Sequence, residues 1–245
     1  MTSIAQQLGD VAESLLNFRS PKLPVERLHG PALDAVDRLF AVPDAFFAHI
    51  LAIDIVGFSN RSLREQLELH RQLRELLGAT PTILRSRRET FVMSTTSSVL
   101  ARTRYDFFPL HEGDGAFLVF RENPFGPLWS ALVITQALEN TPNMQVRMGL
   151  HSDWLCIVPA GRGKFDAVGD AINIAKGVMD YADARHILLS KVVVDMLRRF
   201  NEMQECLHEL GEYPLKHGHR IQIFNLHDIA FGNPAIPSRL QLKAA

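Results

Sequence analysis

The sequence predicts an α+β domain, and three observations carry that expectation. Strand-like and helix-like runs follow one another without strict βαβ alternation, which disfavours a doubly wound parallel sheet. The run AHILAIDIV, starting at Ala48, is short, β-branched and nearly continuously apolar, the pattern of a strand buried on both faces. Asp114-Gly115 stands between two further apolar runs, as the turn dipeptide of a tight hairpin does.

Taken in order, residues 1–45 carry an amphipathic segment (Ile4, Leu8, Val11, Leu15, Leu16), Pro-broken sequence, and a second helical pattern around Leu33, Val36, Leu39 and Phe40. They read as an N-terminal helical extension to a main domain over 46–228, with 229–245 as a C-terminal tail. The strand from Ala48 ends at Gly57, and Ser59, Asn60 and Ser62 signal a helix start. Leu63, Leu67, Leu73, Leu76 and Leu77 then recur on helical spacing, with Gly78 as a stop signal. Residues 80–104, rich in Ser, Thr and Arg, read as loop with a short element. YDFFPLHEGDGAFLVF reads as two strands, PLWSALVITQALEN as a helix, MQVRMGLHSDWLCIVP as a pair of strands and AGRGKFD as a loop. GDAINIAKGVMDYA is helical, ARHILLS a strand, KVVVDMLRRF a helix, and YPLKHGHRIQIFNL a closing hairpin.

Composition removes several classes of function. The 26 basic and 27 acidic side chains of the 245 residues leave a formal charge of −1, so neither nucleic acid nor an anionic membrane is indicated as partner. A hydrophobic fraction of 47% supports a substantial core, and 22% charged residues argues against wholesale disorder. The longest apolar runs are interrupted or far below the ~20 residues a membrane span needs. No basic segment followed by an apolar stretch opens the chain, so no secretory signal is read. Cys156 and Cys206 alone make neither a disulfide framework nor a zinc site, and a reducing cytoplasm is the expected location.

Familiar catalytic motifs are missing. Gly161-Arg162-Gly163-Lys164 lacks the spacing of a phosphate-binding loop, and Phe165 follows the lysine. No H-E-x-x-H, G-x-S-x-G or G-x-G-x-x-G occurs, and the ten histidines are scattered singly. Two aspartates stand out instead. Asp54 lies inside an apolar strand, where a carboxylate has to be paired, hydrogen-bonded or metal-bound. Asp114 lies at a hairpin tip between glycines that allow close approach. Taken singly, Asp54 reads equally well as a cap on the next helix, and Asp114 as ordinary turn chemistry. If their strands are neighbours, both carboxylates can reach one pair of hard divalent cations.

The fragments AIDIVGFS, HEGDGAF, VRMGLHS, FDAVGDAINIA, HILLS and LKHGHRIQIFNL stand in the order found in class III nucleotidyl cyclases, the adenylyl and guanylyl cyclase catalytic domains. From about Ala48 to Leu226 the chain resembles that family. The resemblance implies a mixed, mainly antiparallel sheet with flanking helices on a ferredoxin-like core. It also implies two Mg²⁺ or Mn²⁺ ions per site, held by Asp54, Asp114 and the carbonyl of Ile55. Such a pair lowers the pKa of the ribose 3′-hydroxyl and clamps the triphosphate, so that the oxygen attacks the α-phosphorus and pyrophosphate leaves. The stretch 56–62, with Gly57 and Phe58, would lie beside the triphosphate.

By the same resemblance, Asn173 orients the ribose, Asp166 contacts the base and Lys216 contacts phosphates. In the family these groups come from the second subunit of a head-to-tail dimer, so a homodimer is implied. Without the resemblance, Asn173 reads as a helix-side amide bonded to backbone and Lys216 as a solvated turn lysine.

Two departures qualify the expectation. Leu110 occupies the place of the base-reading lysine or glutamate, and an apolar side chain supplies neither hydrogen bond, at a cost of roughly 1–3 kcal/mol for an unmatched polar edge. Base choice is therefore non-standard. A pyrimidine is a candidate, as in stand-alone bacterial relatives that make cyclic UMP or CMP in anti-phage defence. Gly177 occupies the place of the transition-state arginine, a loss of typically ~10²–10³ in rate. Lys176, Arg162 and Lys164 are the substitutes the sequence offers. The expected function is conversion of an NTP to a 3′,5′-cyclic nucleotide and pyrophosphate. The alternative is a catalytically silent cyclase-like domain that binds a nucleotide or a partner protein.

Overall fold

A computed structural model describes residues 45–92, 107–112, 114–121, 123–139, 141, 143–161 and 164–241. The helical extension expected before residue 45 lies outside the described residues.

Strand β1 (Ala45–Ile55) lies in the interior of an eight-stranded sheet. Its continuous apolar run follows from its place: β3 (Gly115–Phe120) pairs with one edge, β4 (Val146–Gly161) with the other, and helices cover both faces. The strand order is β2 (Phe107–Glu112), β3, β1, β4, β6 (Ile187–Ser190), β8 (Arg220–Leu226), β7 (Leu207–Pro214), with β5 (Lys164–Val168) also on β4. Every pairing is antiparallel except β4 with β6. This is the mixed, mainly antiparallel sheet that the sequence implied.

After Gly57, in the left-handed region at φ 72, a single 3₁₀ turn (Phe58–Asn60) leads into α1 (Leu63–Val92). Ser62 and Glu65 form a capping box: the Ser62 N–H and hydroxyl donate to Glu65 Oε2 at 2.9 and 2.6 Å, and the Glu65 N–H donates back to Ser62 Oγ at 3.4 Å. The helix expected from the leucine spacing forms. Leu63 and Leu67 are 73% and 65% exposed; the buried stripe is Leu69, Leu73 and Leu77, one residue every turn. Gly78 does not stop the helix, and 80–92 is helix rather than loop. A helical glycine costs only about 1 kcal/mol, less than the burial of that leucine stripe returns.

The first layer also contains α2 (Gly126–Leu138), with Pro127 in its first turn, and α4 (Lys191–Leu197). Their apolar residues join Leu51, Ile53 and Ile55 of β1 in one core. The opposite face is covered by α3 (Asp170–Met179), whose Ala171, Ala175 and Met179 pack on Ala48, Ile50 and Ala52. β4 is one 16-residue strand where two were expected. Val146–Cys156 pairs with β1 and Cys156–Gly161 with β5, so the chain needs no break between them. Where a Gly- and charge-rich loop was expected at 160–166, β4 runs to Gly161 and β5 begins at Lys164. β7 begins at Leu207, ahead of the hairpin read from YPLKHG.

After β8 the chain folds back onto the turn following α3. Asp183 accepts from the Ser238 N–H (2.7 Å) and hydroxyl (2.8 Å), and Asn233 Nδ2 donates to the Ala184 carbonyl at 2.9 Å. Arg239, in α5 (Ser238–Gln241), donates to the Asp180 carbonyl, while Leu240 is buried among Val178, Tyr181 and Leu188. Among the described residues, no helix is long and apolar enough to cross a membrane, and Cys156 and Cys206 are free thiols.

Candidate functional site

Asp54 is the last residue but one of β1. Its side chain follows Ala48, Ile50 and Ala52 onto the α3 face, because alternate strand residues share a face. The register sets it between Gly115 of β3 and Arg147 of β4. Arg147 Nε donates to Asp54 Oδ2 at 2.8 Å, Nη2 makes an ion-pair contact with the same oxygen at 2.7 Å, and Nη2 is also 3.8 Å from Asp180 Oδ1. The Asp54 side chain is only 13% exposed. Burial raises its pKa most, the Arg147 hydrogen bond and charge oppose that rise, and the negative charges of Asp114 and Asp180 add to it.

Asp114 joins β2 to β3, and its carbonyl accepts from the Ile55 N–H at 3.4 Å. Gly115 is needed here for closeness, not for a left-handed turn. A Cβ on it would lie 2.5 Å from the Ile53 carbonyl oxygen and 3.6 Å from Asp54 Oδ1. β3 therefore closes fully on β1, and Asp54 Oδ1, the oxygen Arg147 does not take, lies on the hairpin side. Asp54, Ile55 and Asp114 are thus brought together at one end of the two central strands.

Gly57 and Phe58 follow directly. The Val56 N–H is held by the Gln145 carbonyl at 2.9 Å, and Gln66 Nε2 donates to the carbonyls of Phe58 (3.2 Å) and Arg61 (3.0 Å). The Ser62 N–H at the start of α1 is already taken by Glu65, which adds a negative charge where an anion was expected.

The remaining candidates lie elsewhere. Asn173 is exposed in α3, on the side turned from the buried Ala171, Ala175 and Val178. Seven residues separate it from Asp180, about 10 Å along a helix axis. Lys176 is half-buried on the same helix. Gly177 faces Leu215: a Cβ there would meet Leu215 Cδ2 at 3.0 Å and Cδ1 at 3.3 Å. Lys216, next to Leu215, is exposed in a short 3₁₀ turn. One chain therefore carries an acidic group at Asp54 and Asp114, and a separate group around the outer side of α3 and the 215–216 turn. The backbone of Leu110 pairs with Phe117 and that of Asp166 with Val158. Lys164 opens β5, and Arg162 lies outside the described residues.

Arg147 and Asp180 were missed by sequence reasoning. The available signal was a lone arginine in an apolar strand, VRMGLHS, which needs a counter-ion. A cavity of about 300 Å³ opens on the far face of the same sheet end, lined by Leu138, Met144, Val146, Met148 and Arg185 among others. Val146 and Met148 alternate with Arg147 along β4, so this cavity is separate from the carboxylates.

No protein-family model and no curated protein matches the chain. Solved structures do. The chain is similar to the adenylyl cyclase CyaB from P. aeruginosa (13% identity, TM-score 0.56, 75% of this chain and 95% of that one). It is similar to the guanylate cyclase domain of RhGC from Catenaria anguillulae in complex with GTP (16%, 0.56, 75% and 97%). It is also similar to the non-canonical dimeric guanylyl cyclase domain of the RhoGC fusion protein from Blastocladiella emersonii (15%, 0.50, 74% and 97%). At such identities the likeness is one of architecture: the chain has the fold of adenylyl and guanylyl cyclase catalytic domains.

Proposed function

We propose that the protein is a nucleotidyl cyclase, a phosphorus–oxygen lyase that converts an NTP to a 3′,5′-cyclic nucleotide and pyrophosphate. The observation that carries this reading is the meeting of Asp54 and Asp114 at adjoining strand ends of a cyclase fold. The donor set suits a hard divalent cation: two carboxylates, one with an oxygen free of Arg147, beside the backbone carbonyl of Ile55. When bound there, Mg²⁺ or Mn²⁺ would acidify a ribose 3′-hydroxyl and neutralise the triphosphate. Asp54 and Asp114 would hold the cations, with the positive charge of Arg147 close by.

The site is composite in this reading. Asn173 and Lys216 lie apart from the carboxylates within one chain, so a second copy placed head to tail supplies them. The Blastocladiella neighbour is itself dimeric. Leu110 in the base-reading place favours a non-standard base, with a pyrimidine as the first candidate, read partly by Asp166. A role in bacterial signalling against phage, in the cytoplasm, fits such a product.

The experiment is incubation of purified protein with each of the four NTPs and Mn²⁺, with products identified by mass spectrometry. A cyclic nucleotide and pyrophosphate from at least one NTP are expected. Their absence with all four would overturn the catalytic reading. A second reading, a silent domain that binds a nucleotide or a partner protein, is favoured by one observation: Leu215 packs against Gly177, where the arginine would stand. It is distinguished by NTP-dependent thermal stabilisation without turnover.

A further inference from the structure

The separation of Arg147 from two carboxylates has a consequence for how Asp54 takes a cation, given the metal-site reading above. With no cation bound, Asp54 is 13% exposed and needs a counter-ion, which Arg147 supplies at 2.7–2.8 Å. A divalent cation on Asp54 and Asp114 reverses the sign of that arrangement, because the guanidinium then sits beside a like charge. A half-buried guanidinium cannot simply be left unpaired. The acceptor it needs is already in place: Asp180 Oδ1 is 3.8 Å from Arg147 Nη2.

Asp180 is suited to that role. Its side chain is 29% exposed and that of Arg147 22%, so both reach the edge of the packed interior. Its backbone, in contrast, is held at both ends. The Asp180 N–H donates to the Lys176 carbonyl at 2.8 Å, and the Asp180 carbonyl accepts from Arg239 of the C-terminal segment. The backbone of the post is held, and the guanidinium needs to shift by only about an ångström to reach its carboxylate, the difference between an ion-pair contact and a hydrogen bond.

We propose that Arg147 is a two-position latch, which neutralises Asp54 in the cation-free protein and transfers to Asp180 when a cation takes Asp54. Asp180 is then a positioning residue for the cation site. It acts through Arg147 and touches neither cation nor nucleotide.

The test is Mn²⁺ binding at pH 8, followed by calorimetry and by the electron paramagnetic resonance of free Mn²⁺, in the full chain without nucleotide. Asp180→Asn is expected to bind about tenfold more weakly than wild type, the scale of one charge-assisted hydrogen bond. Arg147→Gln is expected to bind at least as tightly as wild type. The deciding comparison is the double variant: with Arg147→Gln present, Asp180→Asn has no further effect. Arg147→Met, which keeps the apolar stem, is the second background if Arg147→Gln does not fold, with thermal melting as the check. An unchanged affinity in Asp180→Asn overturns the latch. So does an equal loss with and without Arg147, since Asp180 would then act as a ligand or by its charge alone. No binding in wild type, or full binding in Asp54→Asn, overturns the metal reading itself and the latch with it.

Discussion

Arg147 bonds a single oxygen of Asp54 through Nε, with Nη2 in ion-pair contact with that same oxygen, and leaves the other on the side of Gly115. The carboxylate is thus half-satisfied by the chain's own charge and half-open toward the hairpin that carries Asp114. An exposed capping aspartate would bond a backbone N–H of the next helix, but here Glu65 takes that part at Ser62. The alternative reading of Asp54 as a helix cap therefore loses its partner.

Removing the charge of either aspartate without changing its shape should separate chemistry from folding. Asp54→Asn retains an acceptor for Arg147, and Asp114→Asn keeps the hairpin. Each is expected to lower cyclic product formation by about 10³-fold or more, with a melting temperature close to wild type, as loss of a metal ligand does. Product quantification beside a thermal melt checks both.

The acid limit of stability should be set by two buried histidines. His49 Nδ1 lies 2.9 Å from Ser152 Oγ, and His151 Nδ1 2.8 Å from Ser190 Oγ. Burial lowers each from 6.5 to about 4, with the charge of Asp153 opposing the shift at His151. Between those values the unfolded chain binds the proton and the folded chain does not, so stability rises with pH across this window. It is fully present above about 6.5 and is lost as pH falls toward about 4, by on the order of 3 kcal/mol per histidine. Urea midpoints measured from pH 8 to 4 should show this slope, and His49→Asn should reduce it.

The glycine at 177 should be tied to Leu215. A side chain there meets the leucine's methyl groups at 3.0 and 3.3 Å. Gly177→Arg gains about 1 kcal/mol of helix propensity but overpacks the contact by about 1–3 kcal/mol. The single variant is expected to be less stable than wild type. The Gly177→Arg/Leu215→Ala pair should be about 1 kcal/mol more stable than the sum of the single changes. Strict additivity in chemical denaturation would show that Leu215 does not hold the place closed.

Much of the fold was legible where a local signal and a tertiary need coincide. The apolar run from Ala48 is an interior strand, the Asp114-Gly115 pair joins β2 to β3, and Ser59 to Ser62 lead into the helix that starts at Leu63. The errors fall where tertiary burial overrides a local signal. Gly78 is a stop residue by propensity, yet Leu69, Leu73 and Leu77 hold the helix to the core and carry it onward. β4 looked divisible, because nothing local shows that its far end passes from β1 to a different neighbour, β5. Within the site, Asp54 was visible as a charge inside an apolar strand. Arg147 was equally anomalous, but only the cross-strand register shows that the two anomalies meet.

The central claim is that Asp54 and Asp114 share divalent cations, and diffraction reads it most directly. Crystals grown with Mn²⁺ and a non-hydrolysable NTP analogue would be measured at the manganese absorption edge. Anomalous peaks within bonding distance of both carboxylates are the expected result. Peaks that touch only one of the two, or lie away from both, would contradict it.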